Sequence, residues 1–171
     1  MRKAALLSLI LVATSLAAFG PAAAAKPPVL VELYTAQGCA SCLEANAHVG
    51  KLAERPGVLA LTFPVDYWDY LGWTDTFAKP EFTERQKAYV TRLKLREPYT
   101  PQVVVDGHEE APGLKTAEVE RLVRAAASAS RNPPDMKFIG PRRVDVGSGR
   151  PPSGGAEVWL IRYDPREVET P

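Results

Sequence analysis

Hydrophobic residues occur along the chain in two patterns, as short unbroken runs and as stripes at helical spacing. The runs are rich in β-branched and aliphatic side chains, which are typical of strands. They lie at Val29–Tyr34, Val58–Val65 and Gln102–Val105. An apolar stripe that starts after Cys42 predicts a helix between the first two runs. This order predicts an α/β protein whose first two strands are parallel, in a mixed sheet flanked by helices.

The run at Val58–Val65 has almost no polar position, which predicts a strand buried on both faces. A second helix is predicted to begin at Pro80, because proline suits a first helical position. The residues predicted to be buried on it are Phe82, Tyr89, Val90 and Leu93, and those predicted to face water are Thr83, Glu84, Arg85 and Lys87. Asp106-Gly107 predicts a tight hairpin turn, and Thr116 is predicted to cap a third helix.

The chain changes character after Asn132-Pro133-Pro134. Two strands are predicted within Met136–Val146 and Ala156–Tyr163, joined by a loop rich in glycine, proline and serine. We therefore divide the chain into a domain at residues 29–131 and a β-hairpin appendage with a tail at residues 135–171. A lone hairpin is marginally stable in water, so we expect the appendage to dock on the first domain or on a partner.

The first 25 residues have the features of a secretory signal peptide: Arg2 and Lys3, then a mostly apolar run, then small residues up to Ala25. A membrane anchor is the alternative, but the apolar run falls short of the roughly 20 residues that a span requires. We expect a periplasmic or secreted protein with no membrane attachment after cleavage. Cleavage removes two of the 21 basic residues and none of the 20 acidic ones. A near-neutral balance gives no electrostatic reason to expect nucleic acid as a partner.

Cys39 and Cys42 are the only cysteines, and they stand at C-x-x-C spacing between the first strand and the first helix. The free N–H groups and the dipole of a helix N-terminus favour a thiolate. Strand, C-x-x-C and helix is an order typical of dithiol redox chemistry. Disulfides persist outside the cytosol. We therefore expect an intramolecular Cys39–Cys42 disulfide in which Cys39 has the more exposed sulfur.

Two other interpretations of the cysteine pair stay open. A permanent disulfide would hold the helix N-terminus together without ever exchanging. A closed metal site would need four ligands, and only His48 and His108 could join the cysteines. Each histidine alone is typical of an ordinary surface residue, so we expect no metal and no other cofactor.

Three groups of residues carry a family resemblance. They are Val31-Glu32-Leu33-Tyr34-Thr35 with Gln37-Gly38-Cys39 and Cys42, the stretch from Val65 to Trp73, and Tyr99-Thr100-Pro101-Gln102 with Val104-Val105-Asp106-Gly107. With them the chain resembles an uncharacterised family of exported bacterial thioredoxin-like proteins. The resemblance covers about residues 29–130 and implies a thioredoxin-like fold.

Similarity to thioredoxins implies a role for five residues. Cys39 would be the attacking thiolate and Cys42 the resolving thiol. Thr100 and Pro101 would be joined by a cis peptide bond beside the dithiol, where the backbone can pair with a bound peptide. Glu32 would be the buried carboxylate that takes a proton from Cys42; the alternative is an ordinary carboxylate at the end of a strand.

Two features depart from the thioredoxin pattern. Gly38 stands where thioredoxins have a tryptophan, and Ala40-Ser41 lie between the cysteines. Because these positions help to set thiol pKa and potential, the resemblance does not decide between an oxidant and a reductant. Family members also continue through a longer C-terminal β region, so we expect the appendage to be truncated or divergent.

The aromatic segment, which we define as Asp66–Trp73, directly follows the second strand. Parallel strands open their C-terminal loops at the same edge of a sheet, so we expect this segment beside the cysteines. The residues assigned to substrate or partner binding there are Asp66, Tyr67, Trp68, Asp69 and Trp73. Trp68 or Trp73 would lie near the dithiol, and Asp66 or Asp69 would affect its pKa. The alternative is that the aromatic rings only cap the core and the aspartates only form turns.

Two functions fit the sequence. The first is an exported thiol–disulfide oxidoreductase acting on protein or small-molecule thiols, together with a redox partner protein. The second is a binding module with a structural disulfide, in which the aromatic segment and the appendage hold a partner. The position of the cysteines and of Thr100-Pro101 favours the enzyme, whereas the unusual residues between the cysteines and the aromatic segment favour the binding module.

Overall fold

The computed structural model describes residues 26–129, 134–147 and 158–164. The expected signal peptide at residues 1–25 lies outside this part of the chain, as do residues 130–133 at the expected domain boundary and the start of the second strand predicted in the appendage. None of the helices in the described ranges is long and apolar enough to cross a bilayer.

Four strands form a mixed sheet in the order β2–β1–β3–β4. They are β1 (Val29–Thr35), β2 (Val58–Pro64), β3 (Gln102–Val105) and β4 (Glu109–Pro112). The first two are parallel, as predicted, with Val29 opposite Val58. The β3 strand is antiparallel to β1 and to β4. Asp106 and Gly107 both have positive φ in the predicted hairpin turn between β3 and β4.

In the described part of the chain, the two faces of the sheet are covered by three α-helices: α1 (Cys42–Ala53), α2 (Pro80–Arg92) and α3 (Thr116–Ser128). One core lies between the sheet and helices α1 and α3; it includes Val31, Leu52 and Leu122. A second core lies on the opposite face, where Phe82 and Tyr89 of α2 pack against it. This arrangement is the predicted α/β architecture, with a mixed sheet flanked by helices.

The β2 strand departs from the prediction of burial on both faces. It is an edge strand that pairs only with β1 among the described residues. Thr62 is exposed, and Val58, Leu59 and Ala60 are only partly buried. The apolar run predicted burial on both faces because it contains almost no polar residue. In the structure β2 is the last strand on its side of the sheet, so part of it remains accessible to solvent.

Helix α2 also presents a different face from the one predicted. Phe82 and Tyr89 pack inward as expected, but Thr83 is buried too, although its polarity predicted exposure. Arg85 is likewise mostly buried, with 16% of its side chain exposed. Both polar side chains are directed inward because each has a hydrogen-bond acceptor there. Thr83 donates to Asp66, and Arg85 donates to Glu32. Thr116 is the first residue of α3 rather than its cap, which is Lys115.

The appendage has shorter strands than the sequence predicts. The segment expected to be one strand, Met136–Val146, contains two: β5 (Met136–Phe138) and β6 (Val144–Val146), paired antiparallel. Gly140 has positive φ and is followed by Pro141, which lacks an N–H, so the run turns back there. Residues 158–164 form no strand. Within them, Ile161 packs against the second core, and docking of the β5–β6 hairpin on the main domain stays a prediction.

Candidate functional site

The cysteines occupy a tight turn between the end of β1 and the start of α1. The N–H of Cys39 donates to the Ala36 carbonyl, and the N–H of Cys42 donates to the Cys39 carbonyl. The two cysteines are joined by a disulfide with Cα atoms 5.4 Å apart, as predicted. Cys42 is the first residue of α1, so both sulfurs lie at the positive end of that helix.

Both cysteines are buried, although we expected the sulfur of Cys39 to be accessible. Only 3% of Cys39 and 1% of Cys42 is exposed. The order agrees with the prediction, but the difference is small. Both belong to the second core, and Tyr67 and Trp68 of the aromatic segment pack against that core. The disulfide therefore lies at the edge of the sheet, in the core against which the aromatic segment packs.

The aromatic segment lies beside the cysteine turn, as the parallel pairing of β1 and β2 predicts. A Cβ built on Gly38 would stand 3.4 Å from the Cβ of Trp68. The indole N–H of Trp68 donates to Thr100 Oγ1 at 2.8 Å. The indole N–H of Trp73 donates to Gln37 Oε1, also at 2.8 Å, although 58% of Trp73 is exposed. Two tryptophans thus connect the segment to the loops that carry the cysteines and Thr100.

Gln86, a residue that the sequence did not single out, fixes Tyr67 and the loop before β3. Its fully buried amide accepts a hydrogen bond from Tyr67 and donates to the Tyr99 carbonyl at 2.8 Å and to Gln102 Oε1 at 2.9 Å. Burial raises the pKa of Tyr67 to about 12, so its hydroxyl stays protonated and donates. A lone glutamine on an amphipathic helix carries no sequence signal for this role.

The aspartates of the aromatic segment have structural partners. Asp66 accepts from Thr83 at 2.6 Å, and Asp69 accepts from the backbone N–H of Asp75. Asp75, which lies just beyond the segment, is buried and accepts from the backbone N–H of Gln37 at 2.7 Å. These contacts agree with the alternative that the aspartates form turns, and an effect of Asp66 or Asp69 on the dithiol stays a prediction.

The peptide bond between Thr100 and Pro101 is cis, as the resemblance implied. Pro101 is buried, and its carbonyl accepts from the N–H of Gly113 at 2.8 Å. A Cβ on Gly113 would stand only 2.9 Å from both Ala45 and Pro101. Gly113 therefore allows Pro101 to pack close to the first turns of α1. This glycine carries no distinctive sequence signal, because a single glycine after a short strand resembles any turn residue.

Glu32, for which the resemblance to thioredoxins implied the role of proton acceptor from Cys42, is fully buried. Its carboxylate instead accepts two hydrogen bonds from Arg85, at 2.6 and 3.0 Å, one from Tyr89 at 2.6 Å and one from Tyr34 at 3.3 Å. Burial raises the pKa of Tyr34 and of Tyr89, so both phenols stay neutral donors. Glu32 is thus neither an ordinary strand-end carboxylate nor one with a free oxygen, and its exchange of a proton with Cys42 stays a prediction.

Each histidine contacts one charged side chain, but only 14% of the His48 side chain is exposed, so His48 is more buried than the sequence predicts. His48 lies 3.4 Å from Glu120, and His108 lies 3.2 Å from Arg92. Among residues 26–129, 134–147 and 158–164, no three or more His, Cys, Asp or Glu side chains lie close enough together to hold a metal ion.

The buried ion pair generates a prediction about stability. Replacing Arg85 with alanine leaves the Glu32 carboxylate buried without its main partner, so the free energy of unfolding should fall by about 3–5 kcal/mol. The matched control is Lys87→Ala on the same helix, which removes an exposed pair with Glu84 and should cost less than about 0.5 kcal/mol. Urea unfolding followed by circular dichroism measures both. A loss below about 1 kcal/mol for Arg85→Ala would mean that Glu32 does not depend on this pair.

The aromatic segment generates a prediction about fluorescence. Reduction of the disulfide should change tryptophan emission, because Trp68 packs against the cluster that contains both cysteines. Replacing Trp68 and Trp73 with phenylalanine should abolish the change. The matched control is Trp159→Phe, which removes a tryptophan that lies over Arg85 and should leave the change intact. A response that persists in the double variant and disappears in the control would place the reporter outside the aromatic segment.

Comparisons with known proteins give one family and one solved structure. Residues 30–170 match the model of a family described as Protein of unknown function (DUF1223). The crystal structure of protein AGR_C_4864 from Agrobacterium tumefaciens is similar, with 37% sequence identity and a TM-score of 0.58. The match covers 68% of this chain and 55% of that one, so the chain spans only about half the length of that protein. None of the curated proteins compared matches the chain.

The family match extends over most of the chain, from the first strand through the appendage. It includes the cysteine turn, the aromatic segment and the Thr100–Pro101 bond that together form the candidate site. The chain therefore belongs to the DUF1223 family, whose function is unknown.

Proposed function

We propose that this chain is an exported thiol–disulfide oxidoreductase with a thioredoxin-like fold, and that Cys39 and Cys42 are its redox-active pair. One observation carries the proposal. The disulfide closes a tight turn at the N-terminus of α1, at the sheet edge where the aromatic segment and Thr100 also converge. A helix N-terminus favours a thiolate over a thiol, which is what a cysteine needs in order to exchange.

The proposed reaction needs only the two cysteines and a partner. The Cys39 thiolate attacks a partner disulfide, the partner's S–S bond breaks, and one partner sulfur leaves as a thiolate. The Cys42 thiolate then attacks Cys39 Sγ in the mixed disulfide and releases the second partner sulfur, which takes up a proton from solvent. The products are an oxidised Cys39–Cys42 pair and a reduced partner. In the opposite direction, the same steps oxidise a partner dithiol.

The surroundings of the pair support a site built to hold a dithiol in one geometry. Thioredoxins have an aromatic residue directly before the first cysteine, and here Gly38 occupies that position. Trp68 packs against Gly38 from the aromatic segment and brings an indole ring to the same place. Thr100 and Pro101 lie directly before β3, where a bound polypeptide could pair with the backbone. Protein or small-molecule thiols outside the cytosol, with a redox partner that resets the pair, are the proposed reactants.

A binding module with a permanent disulfide is the second candidate. The burial of both cysteines favours it, because an exchanging sulfur must be reached by another thiolate. The exposed apolar tip of the aromatic segment favours it too, since 81% of Tyr70 and 56% of Leu71 is exposed. Apolar side chains exposed together are typical of interaction surfaces.

A redox titration in glutathione buffers distinguishes the two functions. The oxidoreductase predicts a reduction potential above about −300 mV, at which the pair can exchange with cellular thiols. Thiol trapping followed by mass spectrometry measures the reduced fraction at each buffer ratio. The control is Cys39→Ser with Cys42→Ser, which should show no mass shift in any buffer. A potential well below about −300 mV would contradict the enzyme and identify the bond as structural.

A further inference from the structure

The Cys39–Cys42 disulfide is buried even though it lies at an edge of the sheet. Both residues are less than 5% exposed, while Ala40 and Ser41 between them are exposed. The turn itself therefore reaches the surface, and the sulfurs lie underneath. Thiol–disulfide exchange requires an attacking thiolate to reach one sulfur in line with the S–S bond. Something must cover that approach.

The candidate for this cover is Trp68. It packs against the cluster that contains both cysteines, and its Cβ lies against Gly38, the residue before Cys39. Gly38 has no side chain that could fill this space. The opposite end of the indole donates to Thr100 Oγ1 at 2.8 Å. The ring therefore extends from the residue before the cysteine turn to the residue before Pro101.

The attachment of Trp68 is local. The residues that follow it form one short 3₁₀ turn, Asp69–Leu71, with no buried residue, and Trp73 beyond them is mostly exposed. Segments with few buried apolar contacts open at low free energy, without unfolding of the domain. An opening of this segment breaks the Trp73–Gln37 bond at its exposed end and the Trp68–Thr100 bond beside the cysteine turn. The Trp68–Thr100 bond is the one that holds the indole ring of Trp68 itself in place.

We propose that Trp68 is a specificity-determining residue that shields the Cys39–Cys42 disulfide from small thiols, and that its hydrogen bond to Thr100 keeps the shield closed. This proposal rests on the proposed function, because a shield matters only if the disulfide exchanges with partner thiols. It deepens that function by excluding small monothiols and dithiols from rapid direct exchange. When a thiolate does enter, it attacks Cys39 Sγ, the Sγ–Sγ bond breaks, and Cys42 leaves as a thiolate. A second thiolate then releases reduced Cys39, and the reductant is oxidised to its own disulfide.

A shield has a kinetic signature that separates it from a purely structural role. Access limits attack on the disulfide and the reverse reaction equally, so removing the shield raises both rates and leaves their ratio unchanged. A residue that only stabilises one redox form would change the ratio instead. The probe is dithiothreitol, a small dithiol that also reduces stable disulfides. The measured quantities are the second-order rate constant for reduction and the equilibrium constant of the same reaction.

The test compares Trp68→Phe, Trp68→Ala and Trp159→Phe in the full chain. Trp68→Phe keeps an aromatic ring and removes the N–H, so reduction should accelerate about fivefold, the change that loss of one ordinary hydrogen bond produces. Trp68→Ala removes the cover and should accelerate reduction more than about twentyfold. The matched control Trp159→Phe should react within about twofold of the unchanged protein, because Trp159 lies over Arg85. All equilibrium constants should agree within about threefold.

Three results would overturn the proposal. One is a rate constant in both Trp68 variants equal to that of the unchanged protein. Another is an equilibrium constant that moves by the same factor as the rate. The third is acceleration that rises with urea as steeply as global unfolding does, which would mean that the variants react only when unfolded. The proposed function is tested by a different measurement, the reduction potential of the unchanged protein in glutathione buffers. Its failure can therefore be distinguished from failure of the shield, which is measured by the rate constants of the variants relative to the unchanged protein.

Discussion

The parallel pairing of β1 with β2 is the constraint on which the candidate site depends. Parallel neighbours end at the same edge of a sheet, so the loops that follow them must meet there. The loop after β1 contains the cysteines, and the loop after β2 is the aromatic segment. Antiparallel pairing would have placed the two loops at opposite ends of the sheet. The contacts of Trp68 with Gly38 and of Trp73 with Gln37 follow from this pairing.

Buried polar groups then hold helix α2 and the aromatic segment in position. The Glu32 carboxylate accepts two hydrogen bonds from the Arg85 guanidinium and one from each of two tyrosine hydroxyls. The Gln86 amide makes three hydrogen bonds. Each of these groups would be costly to bury alone, but together they satisfy one another. Arg85 also lies over the rings of Phe63, Tyr89 and Trp159. The ion pair therefore connects β1, β2, α2 and the segment at residues 158–164.

The sequence predicts the fold better than it predicts the site. Apolar runs and stripes identify β1, β3, α1 and the parallel start of the sheet, because burial determines which residues occupy them. The same patterns are wrong for Arg85 and Thr83, whose burial depends on partners far away in the chain. Gln86, Asp75 and Gly113 have no local signal at all, since their roles depend on contacts with parts of the chain that are distant in sequence. The break at Gly140-Pro141 could have been read from the sequence, because a proline interrupts a strand.

The cysteines illustrate the same limit in chemical terms. Their spacing and position predict the disulfide, because they depend on the local chain alone. Their burial arises in the second core, against which Trp68 packs from 29 positions beyond Cys39 in the sequence. A structural bond and an exchanging bond can share this local geometry. What distinguishes an exchanging disulfide from a structural one is the reactivity of each cysteine thiol after the bond is reduced.

Differential alkylation of the reduced protein therefore tests the central claim most directly. The protein is reduced, freed of reductant and exposed briefly to limiting iodoacetamide, and the label on each cysteine is measured by mass spectrometry. If Cys39 is the attacking thiolate, it should be labelled much faster than Cys42. Equal labelling, or labelling of Cys42 alone, would contradict a redox-active pair with these roles.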